Sequence, residues 1–234
     1  MERRADRRRP IRLAGAGVAA AAVLVVAGCG TSSTTSSSTT TSSSVVTTTT
    51  AGSTVGTAVW PSASSSQRYH DPVSVTRAFA TDYLEFVGPV VGTFRQGDAR
   101  SGEVDVRPKA SGPVTTVLVR MLGTDGTWWV LSASTPDIRV SSPAAYAGIT
   151  SPVTLAGTST AFEATVRVSV RQDGDVTPLA SGIVMGGANG MMAPFGTTLA
   201  FAKPTATRGA VVFDIVSAET GHVAQATVVP VGFP

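Results

Sequence analysis

Apolar and polar positions along this chain fall into distinct regimes. Leu13 to Gly28 is an unbroken run of sixteen apolar or small residues, a little short for a membrane-spanning helix. From Thr31 to Thr50, eighteen of twenty residues are Ser or Thr, and no charge appears between Cys29 and Arg68. Such a tract cannot bury enough apolar surface to offset its ordering entropy, so residues 29–68 are expected to be a disordered tether. Trp60, its one large side chain, reads as marking only the approach to the fold.

Regular periodicity starts near Tyr69. His70-Asp71-Pro72 reads as a helix start, with Asp71 as cap and Pro72 at the first helical position. Val75, Ala78, Phe79, Tyr83 and Phe86 or Val87 then recur at helical spacing until Gly88-Pro89 stops the run. Strands are expected over Val91 to Arg95, Glu103 to Arg107, Val114 to Leu122 and Thr127 to Ala133. The last two form a hairpin through Gly123-Thr124-Asp125-Gly126, with Asp-Gly supplying the positive-φ positions. Residues 69–133 therefore read as a small α+β domain, one helix on a short antiparallel sheet. Val117, Val119 and Met121 point to one face and Leu118 and Leu122 to the other, with Trp128 and Trp129 likewise opposed. One helix covers only one face, so the second is expected to meet the following domain, another chain or a ligand.

Residues 137–234 read entirely as strands. Val166, Val168 and Val170 alternate with Arg167, Ser169 and Arg171, and Val211, Phe213 and Ile215 with Val212, Asp214 and Val216. With Pro152 to Ala156, Leu179 to Val184, Thr197 to Ala202 and Ala224 to Val231, this is the pattern of an immunoglobulin-type β-sandwich without a disulfide. The fold class expected is mainly β: a C-terminal sandwich, the α+β unit before it, and an N-terminal tether.

The chain has one cysteine, so no internal disulfide holds the fold together. Val26-Ala27-Gly28-Cys29 closes the apolar run, which follows six arginines. This is the layout of a secretory signal, and its end resembles the lipobox of bacterial lipoproteins. The resemblance implies recognition at Val26, Ala27 and Gly28, removal of residues 1–28, and a diacylglyceryl group on Cys29. Of 18 basic and 15 acidic side chains, six arginines and two acids lie before Cys29, which leaves 12 basic and 13 acidic. A mature chain of that balance lacks the basic surplus that nucleic-acid binding requires.

A second resemblance covers Ile138 to Phe233. Its elements are Ile138 to Pro143, Ile149 to Gly157 and Ala161 to Val166, then Gly186 to Gly190 leading to Ala193-Pro194-Phe195, then Val212 to Asp214 with Ser217 to Gly221. In that order they resemble the immunoglobulin-like domain family associated with bacterial spore germination proteins, which also occurs in envelope lipoproteins. The resemblance implies a non-enzymatic sandwich with no catalytic residues to transfer, and places Glu163 beside a buried Phe162.

Catalytic groups are sparse. His70 and His222 read as exposed turn residues; no Cys/His spacing suggests zinc, and the Gly186 to Gly190 run lacks a phosphate-loop ending. Asp173, Asp175, Glu163 and Asp214 are the acids available for a calcium site, against the reading of isolated turn acids. No metal, cofactor or enzymatic activity is expected. The candidate binding surface is Met185, Met191 and Met192 on a glycine-rich loop, together with Trp128 and Trp129. The competing readings are a crossover whose methionines and Phe195 plug the sandwich and a Trp pair in the core.

The function expected is a non-enzymatic adaptor, held by lipid on the extracytoplasmic face of the cell membrane, with an envelope protein or wall polymer as partner. The alternative is a wall-acting enzyme, or an inhibitor of one, drawing on Asp82, Glu85, Asp98, Glu103 and Asp105.

Overall fold

The computed structural model describes residues 55–175 and 177–234. A 3-10 turn, Val55–Thr57, leads into an extended segment and then helix α1, Pro72–Ala78, which widens into a π turn at Phe79–Tyr83. The strands are β1 Val90–Asp98, β2 Ser101–Arg107, β3 Thr115–Leu122, β4 Thr127–Ser134, β5 Ile138–Ser142 and β6 Val153–Ala161. They continue with β7 Thr165–Gln172, β8 Ala180–Met185, β9 Gly187–Ala188, β10 Ala193–Leu199, β11 Arg208–Val216 and β12 Val223–Gly232.

The helix begins as its sequence requires. Asp71 accepts from the Ser74 N–H at 2.6 Å, and Pro72 occupies the first turn, where no N–H is needed. Its end comes earlier than expected. The Leu84 N–H bonds to the Phe79 carbonyl, the Phe86 N–H to the Ala80 carbonyl, and Glu85 turns to φ 63°. The wide turn buries Phe86 but leaves Val87 in solvent.

Among the described residues, eight strands form one sheet in the order β1-β2-β3-β4-β12-β11-β7-β8. A second sheet has the order β10-β6-β5, with β9 parallel to β6. The sequence separated residues 69–133 from 137–234, but the two share this large sheet, joined where Val228 of β12 stands opposite Ala133 of β4. α1 covers one face of it, over a core that includes Phe79, Val104, Val117, Val130, Val212 and Val228. The small sheet covers the opposite face at the other end, over Leu155, Val168, Val211, Phe213 and Val231. Alternation along β11 puts Val212 in the first core and Val211 and Phe213 in the second.

The crossing from β4 to β5 is held by buried side chains, one of which satisfies a backbone N–H left without a ladder partner. The Thr135 N–H donates to Thr227 Oγ1 at 3.2 Å, the Thr135 hydroxyl to Gln225 Oε1 at 2.7 Å, and Gln225 Nε2 to Asp137 at 2.9 Å.

The fold also begins earlier than the expected Tyr69. Ala58 and Val59 are buried, and Trp60 forms a bridge to Val130, so this segment fills the part of β4's edge that β12 leaves open. The Trp60 ring lies 5.3 Å from Tyr69 and 6.3 Å from Phe79. Residues 58–68, assigned to the tether by composition, thus belong to the folded body. Ala58 also answers the question of the second face, since it packs there with Leu122, Trp129 and Leu131.

Three local readings change. In the β3–β4 hairpin it is Gly123 and Gly126 that take positive φ, at 69° and 71°, while Asp125 uses its carboxylate to accept from Thr127. β10 lies at Ala193–Leu199, four residues before the expected Thr197 start. Phe162 is exposed rather than buried.

Candidate functional site

Trp128 and Trp129 are core residues, 8% and 2% exposed, so neither belongs to a binding surface. Trp128 meets Phe94 edge-on at 5.2 Å beneath the helix. Trp129 points the other way, its indole N–H donating to Thr127 Oγ1 at 3.0 Å and its ring covered by the Arg68 guanidinium at 5.4 Å. Chain reversal of the 58–68 segment hides this ring.

The methionines behave differently. Met191 is 76% exposed, Met185 56% and Met192 38%, with Phe162 at 69%. The residue that plugs the sandwich is Phe195, its ring 5.8 Å from Phe213. Hydrogen bonds join the β6–β7 turn and the β8–β10 loop into one ledge. The Gly186 N–H donates to the Ala164 carbonyl at 2.9 Å and the Asn189 N–H to the Ala161 carbonyl at 3.2 Å. Gly187 is required here, because a Cβ at that position would fall 1.8 Å from the Met191 carbonyl oxygen. Ala164 and Asn189, both at positive φ, turn the two segments outward.

Behind the ledge lies a cleft of about 250 Å³ lined by Phe162, Glu163, Thr165, Arg167, Ile215 and Ser217. Its cation is committed: Arg167 holds Asp214 at 2.6 Å. Burial raises the Asp214 carboxyl above its ordinary value, and the Arg167 charge offsets this only in part. The arrangement offers an apolar wall and a satisfied ion pair, which suits protein contact rather than bond-breaking.

Another cleft, of about 290 Å³, lies between the 58–67 segment and the β7–β8 turn, beside Trp60, Asp82, Tyr83, Asp173 and Asp175. Burial pushes the Tyr83 hydroxyl up to about 12 despite nearby Arg171. Asp173 is held by Arg208 at 2.8 Å, and Asp175 accepts from the Thr177 N–H. These two acids sit at the opposite end of β7 from Glu163, so the four candidate calcium ligands do not meet. No group of three His, Cys, Asp or Glu residues suited to a metal occurs among the described residues. The acids of the enzymatic alternative are scattered too: Glu103 and Asp105 both pair with Arg95, Asp98 with Arg120, and Glu85 lines a groove over β7 and β8. His70 and His222 are exposed.

Sequence reasoning missed Phe162 and Ile183 as surface residues. Ile183 was readable, since alternation with the inward Val184 turns it outward. Phe162 had no such signal, because it lies in a turn. Val26, Ala27, Gly28 and Cys29 lie outside the described residues. Among those described, no helix is long and apolar enough to cross a membrane.

Residues 137–222 match the sequence family described as the immunoglobulin-like domain of bacterial spore germination. That span takes in β5 to β11 and every residue of the ledge. No curated protein and no solved structure matches the chain. The matched domain is of a non-catalytic type, which suggests a binding or adaptor module.

Proposed function

We propose that this chain is a lipid-anchored adaptor on the extracytoplasmic face of the cell membrane, and that its immunoglobulin-like domain presents the ledge of Phe162, Met185, Met191 and Met192 to an envelope protein. The ledge is the observation that carries this reading. Large apolar side chains held mostly in solvent by a hydrogen-bonded pair of loops lie outside both hydrophobic cores and mark a contact surface. Unbranched methionine adapts to a partner's contour without fixing one shape.

The anchor is supported by the arginine-rich start, the apolar run and Val26-Ala27-Gly28-Cys29. A lipidated Cys29, carrying the diacylglyceryl group, holds the chain to the bilayer, and the Ser/Thr-rich stretch up to the fold at Ala58 serves as spacer. Once residues 1–28 are removed the chain is close to neutral, which favours a protein or wall-polymer partner over nucleic acid.

Fractionation of cells expressing the parent and a Cys29→Ala variant tests the anchor. The parent is expected in washed membranes and the variant in the soluble fraction; a variant that stays with the membranes would overturn the proposal of a lipid anchor.

A further inference from the structure

The cleft of about 290 Å³ beside Trp60 lies away from the ledge, at the other end of β7. Its walls come from distant parts of the chain. The 58–67 segment supplies one and the β7–β8 turn another, joined by the Ala63 N–H donating to Asp173 Oδ2 at 3.4 Å. Asp82 and Tyr83, from the π turn, complete the lining.

These side chains are fixed by the rest of the protein. The Trp60 ring packs with Tyr69 and Phe79. The Tyr83 ring is stacked on Phe79 at 5.2 Å and lies 5.1 Å from the Arg171 guanidinium, which also donates to the Tyr83 carbonyl at 2.6 Å. Asp173 Oδ2 accepts from Arg208 at 2.8 Å. Asp175 accepts from the Gln172 amide at 3.2 Å and from the Thr177 N–H at 2.9 Å. A site held in place beforehand loses little conformational entropy on binding.

The groups left unmet are of both kinds. Among the described residues, nothing accepts from the Trp60 indole N–H or the Tyr83 hydroxyl. Asp173 Oδ1 is buried without a hydrogen-bond partner, and the Asp82 side chain receives only the hydroxyl of its neighbour Thr81. No Lys or Arg side chain lines the cleft among the described residues. An anion would therefore meet three carboxylates and no cation. An ammonium group suits the carboxylates but has no acceptor for Trp60 or Tyr83. A peptide strand pairs through a row of backbone groups, whereas the unmet atoms here belong to side chains. A sugar hydroxyl both donates and accepts, and the C–H face of a sugar ring packs on an aromatic ring.

We infer that this cleft binds an uncharged saccharide of about one or two units, a size suited to its place at the small end of ligand sites. Trp60 is the platform for the sugar ring, Asp82 and Asp173 accept from its hydroxyls, and the Trp60 N–H and Tyr83 hydroxyl donate to its oxygens. The cleft shares no residue with the ledge, so the two sites stand or fall separately.

Saturation-transfer NMR tests this on the full-length chain in a detergent without a sugar headgroup. The probes are cellobiose, maltose and N,N′-diacetylchitobiose, with glucuronic acid, 1,5-diaminopentane and trialanine as anionic, cationic and peptide controls. Saturable transfer to at least one disaccharide is expected, at a Kd at least about tenfold below that of every control. Tyr83→Phe keeps the stacked ring, and Asp82→Ala alters an exposed side chain. Each should weaken binding by about threefold to tenfold, while Met191→Ser leaves it unchanged. A thermal melt matching the parent establishes that each variant is folded. Absence of transfer to all three disaccharides, a control that binds as tightly, parent-like binding by either cleft variant, or loss of binding in Met191→Ser would each overturn the inference.

Discussion

The Thr135 hydroxyl and the Gln225 side-chain oxygen lie 2.7 Å apart in the interior, where the chain leaves the large sheet for the small one. Gln225 also reaches Asp137, and Thr227 donates to the Ile138 carbonyl at 3.1 Å. This network fixes the crossing at Thr135, Asp137 and Ile138. Gln225→Leu leaves the Thr135 hydroxyl and the Asp137 carboxylate without that partner and is expected to cost about 2 kcal/mol. Adding Thr135→Val to Gln225→Leu should cost less than the sum of the two single changes, because one interaction is removed twice. Urea unfolding of the four chains measures this; strict additivity would contradict it.

Trp60 belongs to the core packing of the helix, through Tyr69 and Phe79. Trp60→Ala is expected to destabilise the fold by about 3 kcal/mol, the scale of a large aromatic deletion. Unchanged stability in urea would return residues 58–68 to the tether.

The ledge and the plug are separable by stability. Phe162→Ser and Met191→Ser remove side chains that are 69% and 76% exposed and outside both cores, and each should change stability by no more than about 0.5 kcal/mol. Phe213→Ala, in the second core, is expected to cost about 3 to 5 kcal/mol. Destabilisation by Met191→Ser on the scale of Phe213→Ala would make the loop a plug.

Two acids give opposite pH dependences. The Arg95 hydrogen bond, with a smaller contribution from Thr116, lowers the Asp105 carboxyl below its ordinary 3.8. Its folded value thus lies below the unfolded one, so its contribution is fully present above about pH 4 and is lost as pH falls through the folded value. Burial raises Asp214 instead; its ionisation disfavours the fold, and stability declines as pH rises from the unfolded value through the folded one. Stability measured from pH 2 to 7 should show a shallower acid limb in Asp105→Asn, and should lose the decline assigned to Asp214 in Asp214→Asn. Profiles parallel to the parent would contradict both assignments.

Local chemistry was legible wherever one residue type dictates one geometry. The Asp71 cap, Pro72 at the first turn and the alternation of Val166, Val168 and Val170 all occur where the sequence places them. Long-range pairing was not legible. Ala58-Val59-Trp60 is too short to show a period, and its order comes from β4, seventy residues away. The join of β4 to β12 depends on Val228 meeting Ala133, and neither residue carries a local sign of it. The methionine surface was visible as composition, but its exposure depended on Ala164 and Asn189 taking positive φ, a conformation that non-glycine residues seldom announce. Phe162 was misplaced for the same reason.

The adaptor reading is tested most directly by a photo-crosslinking side chain at Phe162, in the full-length chain on intact cells, with Val87 as an exposed control in the helix-to-β1 connection. Capture of one reproducible envelope protein from position 162, absent from position 87 and weakened by Met191→Ser, is the predicted result. Capture of nothing, or of the same proteins from both positions, would contradict a partner-binding ledge.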